Sequence, residues 1–315
     1  MSKLKVLLLT EGYHGMISQV EGMAKALKAN FQHKVVRLNH IWNYIPPKLT
    51  PISSIILKDP DYINLDENFD LIISCGRKSV VPSIILKRKN NKVLTIHIQN
   101  PKVNFKNFDF IIAPEHDSLS GENVITSKGS VHYITLEEIE KAKSYLENKI
   151  KGEKLISLIL GGPNKYYSFS NKELEKVFND VKKNFISKGY KVIIIPSMRT
   201  PKRIIDLANQ EFDKESLVIN NVNKQAYLAS IGIAKKFIVT CDSTSMISEV
   251  ATSGKPIFIA HMRPKRDNYR FKKFFKLFKE MGITRDLGEK DESWTYNKMN
   301  EAERIANILN NKINN

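Results

Sequence analysis

The chain has 315 residues, a length that suits two domains, and a hydrophobic content of 42% is enough for real cores. Lys and Arg number 50 against 33 Asp and Glu, so the net charge of +17 predicts an anionic partner: nucleic acid, an acidic membrane surface or a phosphorylated substrate. Two cysteines exclude a disulfide framework, no Cys/His spacing indicates a zinc site, and no stretch reaches the roughly 20 apolar residues of a membrane span. We therefore expect a soluble or peripheral protein in a reducing compartment.

Strands and helices alternate through the first part of the chain. The predicted strands are 5–9, 34–38, 69–74, 93–98, 108–113 and 123–126, and the predicted helices are 17–29 and 80–87. A Pro-rich irregular segment, 40–66, interrupts the alternation. This pattern indicates a parallel, doubly wound α/β domain.

The second part repeats the same logic. Its predicted strands are 155–160, 192–195, 217–219, 237–240 and 257–260, and its helices are 170–188, 202–209, 226–233 and 305–313. A further short helix carries an apolar stripe at residues 246, 247, 250 and 251. A charged helix over 135–150, with a capping box of Thr135 and Glu138, is interpreted as a linker. The predicted division is an N-terminal Rossmann-like domain (1–134), a linker helix (135–153), a C-terminal Rossmann-like domain (154–290) and a C-terminal helical segment (291–315).

A polar turn after the strand 237–240 opens the short helix. Asp242, Ser243, Thr244 and Ser245 can each cap a helix N-terminus. Because ligands of parallel sheets bind outside the carboxyl ends of the strands, the free N–H groups of this turn favour an anion such as phosphate. Glu249, about a turn further in, could accept hydrogen bonds from sugar hydroxyls. The alternative is a capped helix with a solvated glutamate.

Other loops of the second domain lie at strand carboxyl ends too. Gly161 and Gly162 can let the backbone approach a pyrophosphate. The side chains suited to donate to phosphate are Lys165, Ser197, Arg199 and Thr200. Each of these features is also typical of an ordinary turn. Only their common position at the carboxyl ends of the strands indicates an anionic nucleotide.

The first domain offers a different set of polar residues at its strand ends. They are His14, Arg77, Gln99, Glu115, His116 and Asp117. The last three supply two carboxylates and an imidazole at one strand end, which is adequate material for a general base. A capped polar turn is the alternative interpretation.

The stretch Arg263–Lys279 is strongly basic, with eight Lys or Arg residues against one Asp. It also carries phenylalanines at helical spacing, at positions 271, 274, 275 and 278. Such a helix can lie on anionic lipid. We favour the alternative, in which the phenylalanines pack on their own domain while the charges can still attract lipid.

Several segments together resemble the mitochondrial fission (elongated-mitochondria) protein family, which has plant members and many bacterial ones. The segments are 75–79, 98–101, 108–109, 114–117, 160–165, 197–201 and 240–249, and the match runs from about residue 10 to about residue 286. The resemblance implies a GT-B-like architecture, with two Rossmann-like domains facing a cleft, as in nucleotide-sugar glycosyltransferases. It also implies that the second domain binds the donor, that Glu249 holds the ribose, and that the C-terminal helix crosses back towards the first domain. Asn164 and Met246 complete the expected donor site.

Our leading hypothesis is a nucleotide-sugar-dependent glycosyltransferase on the cytoplasmic face of a membrane. The donor's pyrophosphate is expected against the glycine pair and the helix start at 243–245, with Lys165 and Arg199 offsetting its charge. Glu115, His116, Asp117 or His14 would deprotonate the acceptor. No metal or cofactor is required, because basic side chains and helix dipoles can stabilise the leaving diphosphate.

Three alternatives stay open at this point. The same fold can serve a nucleotide-sugar epimerase. It can also serve a non-catalytic adaptor that docks on membranes, because plant family members are described as organelle-surface factors for a dynamin-related protein. Nucleic-acid binding has only the charge in its favour and no recognisable module. The chain departs from many such transferases in a less glycine-rich first loop, and the absence of a transit peptide favours the bacterial cytoplasm.

Overall fold

The computed structural model describes residues 3–60, 68–212, 216–289 and 293–314. The chain divides into two compact units: the first unit comprises Met1–Tyr133 and Asn300–Asn315, and the second comprises Ile134–Met299. The domain boundaries given above stay a prediction, and the one at residues 290 and 291 lies outside the described residues. The end of the predicted Pro-rich segment, 61–66, also lies outside them.

The first unit contains a six-stranded, all-parallel sheet. Its strands are β1 Lys5–Thr10, β2 Asn30–Val35, β3 Leu71–Cys75, β4 Leu94–Ile98, β5 Phe110–Pro114 and β6 Val124–Ser127, in the spatial order β2-β1-β3-β4-β5-β6. Its first two helices are α1 His14–Ala26 and α2 Arg77–Lys89. The central strands are continuous apolar runs because helices cover both faces of a parallel sheet.

The second unit contains another six-stranded parallel sheet. Its strands are β7 Leu155–Leu160, β8 Lys191–Pro196, β9 Leu217–Val218, β10 Lys236–Thr240, β11 Ile257–Ala260 and β12 Thr284–Asp286, in the order β12-β11-β10-β7-β8-β9. Its helices are α3 Leu136–Ala142, α4 Ser144–Glu147, α5 Asn171–Asn184, α6 Lys202–Glu211, α7 Lys224–Ile233, α8 Thr244–Ala251 and α9 Tyr269–Glu280. The predicted fold class, two doubly wound parallel α/β sheets, is therefore confirmed.

Three element predictions need correction. The second strand begins at Asn30 rather than Lys34, because an exposed edge strand can be polar and still pair with β1. The helix predicted over 135–150 is two short helices, α3 and α4, and both pack against α7 of the second unit. The three-residue strand β12 was not predicted at all.

The phenylalanine stripe of α9 packs inside the second unit, as favoured above. Phe274 and Phe278 are fully buried, with ring centroids 4.1 Å apart. Phe271 contacts the rings of Tyr166 and Tyr167. The apolar side of α9 is thus part of a core, and its lysines form the outer side.

The last helix, α10 Glu301–Asn314, belongs to the first unit. It packs against α1, and its buried side chains join the cluster that contains Val20, Met23 and Ala24. Those side chains are Ala302, Ile305, Ala306 and Leu309. No helix among the described residues has the length and apolar character needed to cross a membrane.

Candidate functional site

In the second unit the chain turns to the other side of its starting strand between β9 and β10. The first strand of the sheet, β7, is flanked by β8 on one side and by β10 on the other. In open α/β sheets the loops at such a switch point leave a crevice in which ligands bind. Here those loops begin at Gly161, after β7, and at Cys241, after β10.

The two loops are joined through a buried aspartate. The Gly161 N–H donates to Thr240 Oγ1 over 2.8 Å, and that hydroxyl donates to Asp242 Oδ1 over 2.7 Å. The Gly162 N–H donates to Asp242 Oδ2 over 3.2 Å. Both glycine N–H groups therefore serve protein acceptors.

The glycine pair is required by close packing of the protein itself. A Cβ atom at Gly161 would stand 2.0 Å from Asp242 Oδ1, and one at Gly162 would stand 1.8 Å from the backbone oxygen of Arg199. Neither position leaves room for a side chain. The glycine motif therefore allows the loops after β7, β8 and β10 to approach one another closely.

Arg199 reaches this aspartate from the loop after β8. Its guanidinium forms an ion pair with Asp242, whose side chain is fully buried, while Arg199 itself is 46% exposed. Thr200 holds the same loop, because its hydroxyl lies 2.7 Å from the Leu160 carbonyl oxygen and accepts from the Ser197 N–H over 2.8 Å. Ser197 and Thr200 thus have structural partners, and Arg199 keeps an exposed side that faces solvent.

The N-terminus of α8 offers unused donors. Ser243 is the N-cap, and its hydroxyl accepts from the Met246 N–H over 3.4 Å. The N–H groups of Thr244 and Ser245 have no hydrogen-bond acceptor within the described part of the chain. A helix N-terminus of this kind favours a bound anion. Met246 is buried and contributes packing.

Glu249 lies on the same face of α8 as Ser245, because residues four apart are neighbours on a helix. The Tyr227 hydroxyl, from α7, donates to Glu249 Oε2 over 2.7 Å. Burial raises the pKa of the Glu249 carboxyl to about 7, against the smaller opposing effect of the tyrosine hydrogen bond. Near neutral pH this side chain can accept or donate hydrogen bonds.

Asn164 organises the loop that follows the glycine pair. Its amide donates to the Asp242 carbonyl over 3.1 Å, and its side-chain oxygen accepts from the N–H groups of Tyr166 and Tyr167 over 2.7 and 2.9 Å. Asn164 therefore positions the loop from within.

Basic side chains surround Tyr166 on the same loop. Lys165 Nζ lies 4.7 Å from the ring centroid, and the Arg266 guanidinium carbon lies 4.9 Å from it. A hydrogen bond from Lys165 lowers the pKa of the Tyr166 hydroxyl. Lys265 joins this group, because its ammonium donates to the Asn164 carbonyl over 2.9 Å. The rim next to α8 thus carries several positive charges.

In the first unit Arg77 and Gln99 bind protein groups. Arg77, the first residue of α2, donates to the Ile45 carbonyl over 2.7 Å and also to the Asn43 carbonyl. Gln99 follows β4 with a left-handed φ of 87°, and its amide donates to Gln19 Oε1 over 3.4 Å. Arg77 secures the segment after β2, a role the sequence did not indicate.

The switch point of the first sheet lies between β1 and β3, and a carboxylate of the chain occupies it. Glu11 Oε1 accepts from the Lys78 N–H over 3.1 Å, in the first turn of α2. Lys78 Nζ stands 4.0 Å from Glu11 Oε2. The α2 N-terminus thus has an internal anion where a phosphate would otherwise bind. Sequence reasoning missed Glu11.

The four candidate bases do not form one group. His116 and Asp117 are buried, with His116 Nε2 3.7 Å from Asp117 Oδ1. Glu115 and His14 are exposed, and His14 Nε2 lies 3.4 Å from the Tyr133 hydroxyl. The strands before them, β5 and β1, are three positions apart, which is about 14 Å at the usual strand spacing. Glu115 and His14 are therefore separate options for a base.

One further pair of interacting side chains was not predicted from the sequence. His261 follows β11, and its Nε2 lies 2.6 Å from Asp286 Oδ1 at the end of β12. Lys279 also donates to Asp286 over 3.0 Å. The short strand β12 places the aspartate, so the pair could not be found without predicting that strand.

Neither cavity volume nor metal ligation suggests a different site. A cavity of about 440 Å³ lies in the first unit, at the amino ends of β1 and β2. The polar loops of that unit follow the carboxyl ends of its strands, at the opposite end of the sheet. In the described ranges, no group of three or more His, Cys, Asp or Glu side chains could hold a metal ion. The loops at the β7/β10 switch point are therefore the best candidate.

Comparison with known proteins agrees with the resemblance noted in the sequence. Mitochondrial fission protein ELM1 of Arabidopsis thaliana is 24% identical over 274 residues, covering 77% of this chain and 64% of the plant protein, so the chain spans less than two thirds of that relative. The uncharacterized protein RP120 of Rickettsia prowazekii is 26% identical over 284 residues, covering 76% of this chain and 78% of its own length.

Solved structures show the same fold at low identity. UDP-GlcNAc 2-epimerase from Neisseria meningitidis, bound to UDP-GlcNAc, has a TM-score of 0.58 at 14% identity, covering 99% of this chain and 100% of its own. A UDP-glucosyltransferase from Polygonum tinctorium has a TM-score of 0.54 at 9% identity, covering 98% and 89%. The fold is therefore GT-B-like. The family model described as Mitochondrial fission ELM1 matches residues 14–313, and the chain belongs to that family.

Proposed function

We propose that the chain binds a nucleotide sugar at the β7/β10 switch point and transfers its sugar, acting at the cytoplasmic face of a membrane. One observation carries the proposal: the free N–H groups of Thr244 and Ser245 share the α8 end of this crevice with Glu249. The N–H groups at the start of this helix can bind the diphosphate, and the Glu249 carboxylate can bind the sugar hydroxyls. One short helix therefore offers partners for both parts of a nucleoside diphosphate.

The charges around the crevice favour a diphosphate in particular. Lys165 is exposed and Arg199 has an exposed side, while Lys265 stands on the facing loop. These side chains, together with the N-terminal dipole of α8, can offset the negative charge that develops on a leaving diphosphate. A sugar transferase needs this stabilisation most at the moment when the bond to phosphate breaks.

The proposed reaction is a displacement at the anomeric carbon. The acceptor oxygen forms a bond to that carbon, the bond between the carbon and the diphosphate oxygen breaks, and the nucleoside diphosphate leaves with the electron pair. The proton of the acceptor hydroxyl passes to a general base. The neighbours with UDP-sugar names support a nucleotide sugar as donor only by analogy of fold.

A thermal-shift screen against nucleotides and nucleotide sugars tests the donor site. A ligand at a hundredfold over its Kd stabilises the native state by about 2.7 kcal/mol, so a true donor raises the Tm clearly. Glu249→Ala should remove that shift, whereas the matched control Glu175→Ala, on the exposed side of α5, should keep it. An unchanged affinity of the Glu249 variant for the donor would contradict the assignment of Glu249 to the donor site.

The same protein and its Glu249→Ala variant also distinguish two other functions. A nucleotide-sugar epimerase would change its substrate with no acceptor present, which product analysis shows directly. A non-catalytic adaptor is suggested by the name of the plant relative, and it predicts partner binding that does not depend on Glu249. Transfer of sugar to water or to an added acceptor, lost in Glu249→Ala, would favour the transferase.

A further inference from the structure

A segment of the first unit exposes an unusual number of large apolar side chains. This apolar loop comprises residues 39–57, between β2 and β3. Of the eleven large hydrophobic residues that are exposed in the described structure, five stand here, with exposures from 37% to 78%. They are Ile41, Tyr44, Leu49, Ile52 and Ile55. Exposed apolar side chains concentrated in this way mark an interaction surface.

The apolar loop is built into the unit by polar contacts. Its two ends are paired: the Asn39 N–H donates to the Ile56 carbonyl over 2.8 Å, and the Asn39 amide donates to the carbonyls of Ile55 and Leu57 over 2.8 and 3.1 Å. Arg77 holds the middle through the carbonyls of residues 43 and 45. Ile56 and Leu57 point into the core. The outward side chains are thus held in place by a fixed backbone.

The charged side chains of the apolar loop and of the residues beside it are mostly basic, with Asp59 after Lys58 as the exception. No acidic residue stands between Glu21 and Asp59, and Arg37, Lys48 and Lys58 are exposed. A partner that is apolar within and anionic at its surface fits apolar side chains that stand beside Arg37, Lys48 and Lys58. An anionic lipid bilayer has that structure, because its acyl region takes the apolar groups and its headgroups attract Lys and Arg.

We propose that the apolar loop inserts into the interface of an anionic membrane. Tyr44, at the most exposed position of the loop, combines a ring for the acyl boundary with a hydroxyl for the headgroups. The helix α9 is a weaker candidate for insertion, because Phe274 and Phe278 are buried in its own unit and Tyr269 is the one large apolar side chain that it exposes strongly. This inference does not depend on the proposed donor site.

Vesicle co-sedimentation of the full chain tests the proposal. The wild type should bind vesicles of phosphatidylcholine with a minority of phosphatidylglycerol, and bind pure phosphatidylcholine much less. The variant Ile41→Ser, Tyr44→Ser, Leu49→Ser should bind the anionic vesicles at least about tenfold more weakly, because it loses apolar surface for insertion. These side chains are exposed, so the Tm of the variant should match that of the wild type.

A charge variant of α9 is the matched control. Lys272→Gln, Lys273→Gln and Lys276→Gln removes three positive charges from α9 and leaves the apolar loop intact. It should retain most of the binding. Loss of binding in this variant, with the loop variant unaffected, would overturn the proposal in favour of a purely electrostatic contact. No binding of the wild type would also overturn it and leave the loop to a protein partner.

Fluorescence gives a second readout that does not rely on loss of binding. Tyr44→Trp should be quenched by brominated phosphatidylcholine in anionic vesicles, because the side chain enters the acyl boundary. Met198→Trp, at an equally exposed position of the second unit, should add no quenching beyond that of the wild type. Equal quenching at both positions, or none at residue 44, would contradict insertion of the loop.

Discussion

Asp242 determines the shape of the candidate site although it points away from solvent. Its carboxylate accepts from Gly162, from Thr240 and from Arg199 at once, and it is 2% exposed. A buried carboxylate is stable only when such partners surround it. The loops after β7, β8 and β10 are therefore fixed around one charge, which leaves the α8 N-terminus as the open part of the site.

Gly162→Ala should destabilise the second unit by more than about 2 kcal/mol, because the new methyl group would collide with the Arg199 carbonyl and the backbone must move. Urea unfolding measures the loss. Gly15→Ala is the control, since nothing lies within 4 Å of a Cβ there, and it should be neutral or slightly stabilising. An unchanged unfolding midpoint for Gly162→Ala would show that the loop can yield.

Glu249 should make stability depend on pH in a defined window. Its pKa is about 7 in the folded chain and 4.5 as the ordinary value, so the native state binds more protons than the unfolded state between these limits. Stability then falls as pH rises through this range, by an amount on the order of 3 kcal/mol. Glu249→Gln removes the titration, so its advantage in Tm over the wild type should grow from pH 5 to pH 8; an equal difference at both pH values would refute the raised pKa.

At the scale of elements, the C-terminal end of α7 is capped by the side chain of a lysine from a different part of the chain. The Lys255 ammonium donates to the carbonyls of Ile231, Gly232 and Ala234 over 3.0, 2.8 and 2.7 Å. These are carbonyls that a helix end leaves without an intrahelical partner. Burial lowers the pKa of Lys255 to about 8, which shows how closely the surrounding chain encloses the charge.

Lys255→Met should therefore cost about 1 to 3 kcal/mol, because three carbonyls lose a charged donor. Lys235→Met, at an exposed neighbouring position, should cost much less. Chemical denaturation of both variants makes the comparison, and hydrogen exchange should show the difference at the end of α7. Equal stability of the two variants would mean that water replaces the ammonium without loss.

Most elements could be predicted because their apolar patterns are strong. The strands of the sheet interiors are continuous apolar runs, and the capping box predicted at Thr135 is present in the structure. The predictions of secondary structure failed where the apolar pattern of the sequence is weak. The edge strand β2 is polar, β12 has three residues, and the charged stretch 136–147 breaks into α3 and α4 where it packs against α7.

The candidate site was predictable only in part. The helix start at 243–245 and Glu249 were found, because a cap after a buried strand has a local signature. Asp242 was predicted only as a candidate cap, and Glu11 was missed, because their partners are distant in sequence and only the sheet order brings them together. The close packing at the glycine pair could not be predicted either, because Asp242 and Arg199 reach it from distant parts of the chain.

At the scale of the whole molecule, the two units differ in how the chain builds them. The second unit is one continuous stretch, whereas the first unit is completed by α10 from the end of the chain. The Glu301 carboxylate accepts from the Lys128 N–H over 2.8 Å, and Arg304 donates to the Thr126 carbonyl over 2.6 Å. The first unit therefore cannot close its core until α10 has been made.

Deleting residues 300–315 should unfold the first unit and spare the second. Ile305 and Leu309 are fully buried, and losing each costs about 2 to 5 kcal/mol, so the sum approaches the whole stability of an ordinary domain. Calorimetry of the truncated chain should show the transition of the second unit alone. A chain that ends at Asn310 keeps the buried side chains of α10 and should retain both transitions, so survival of the first unit in the longer deletion would show that its core does not need α10.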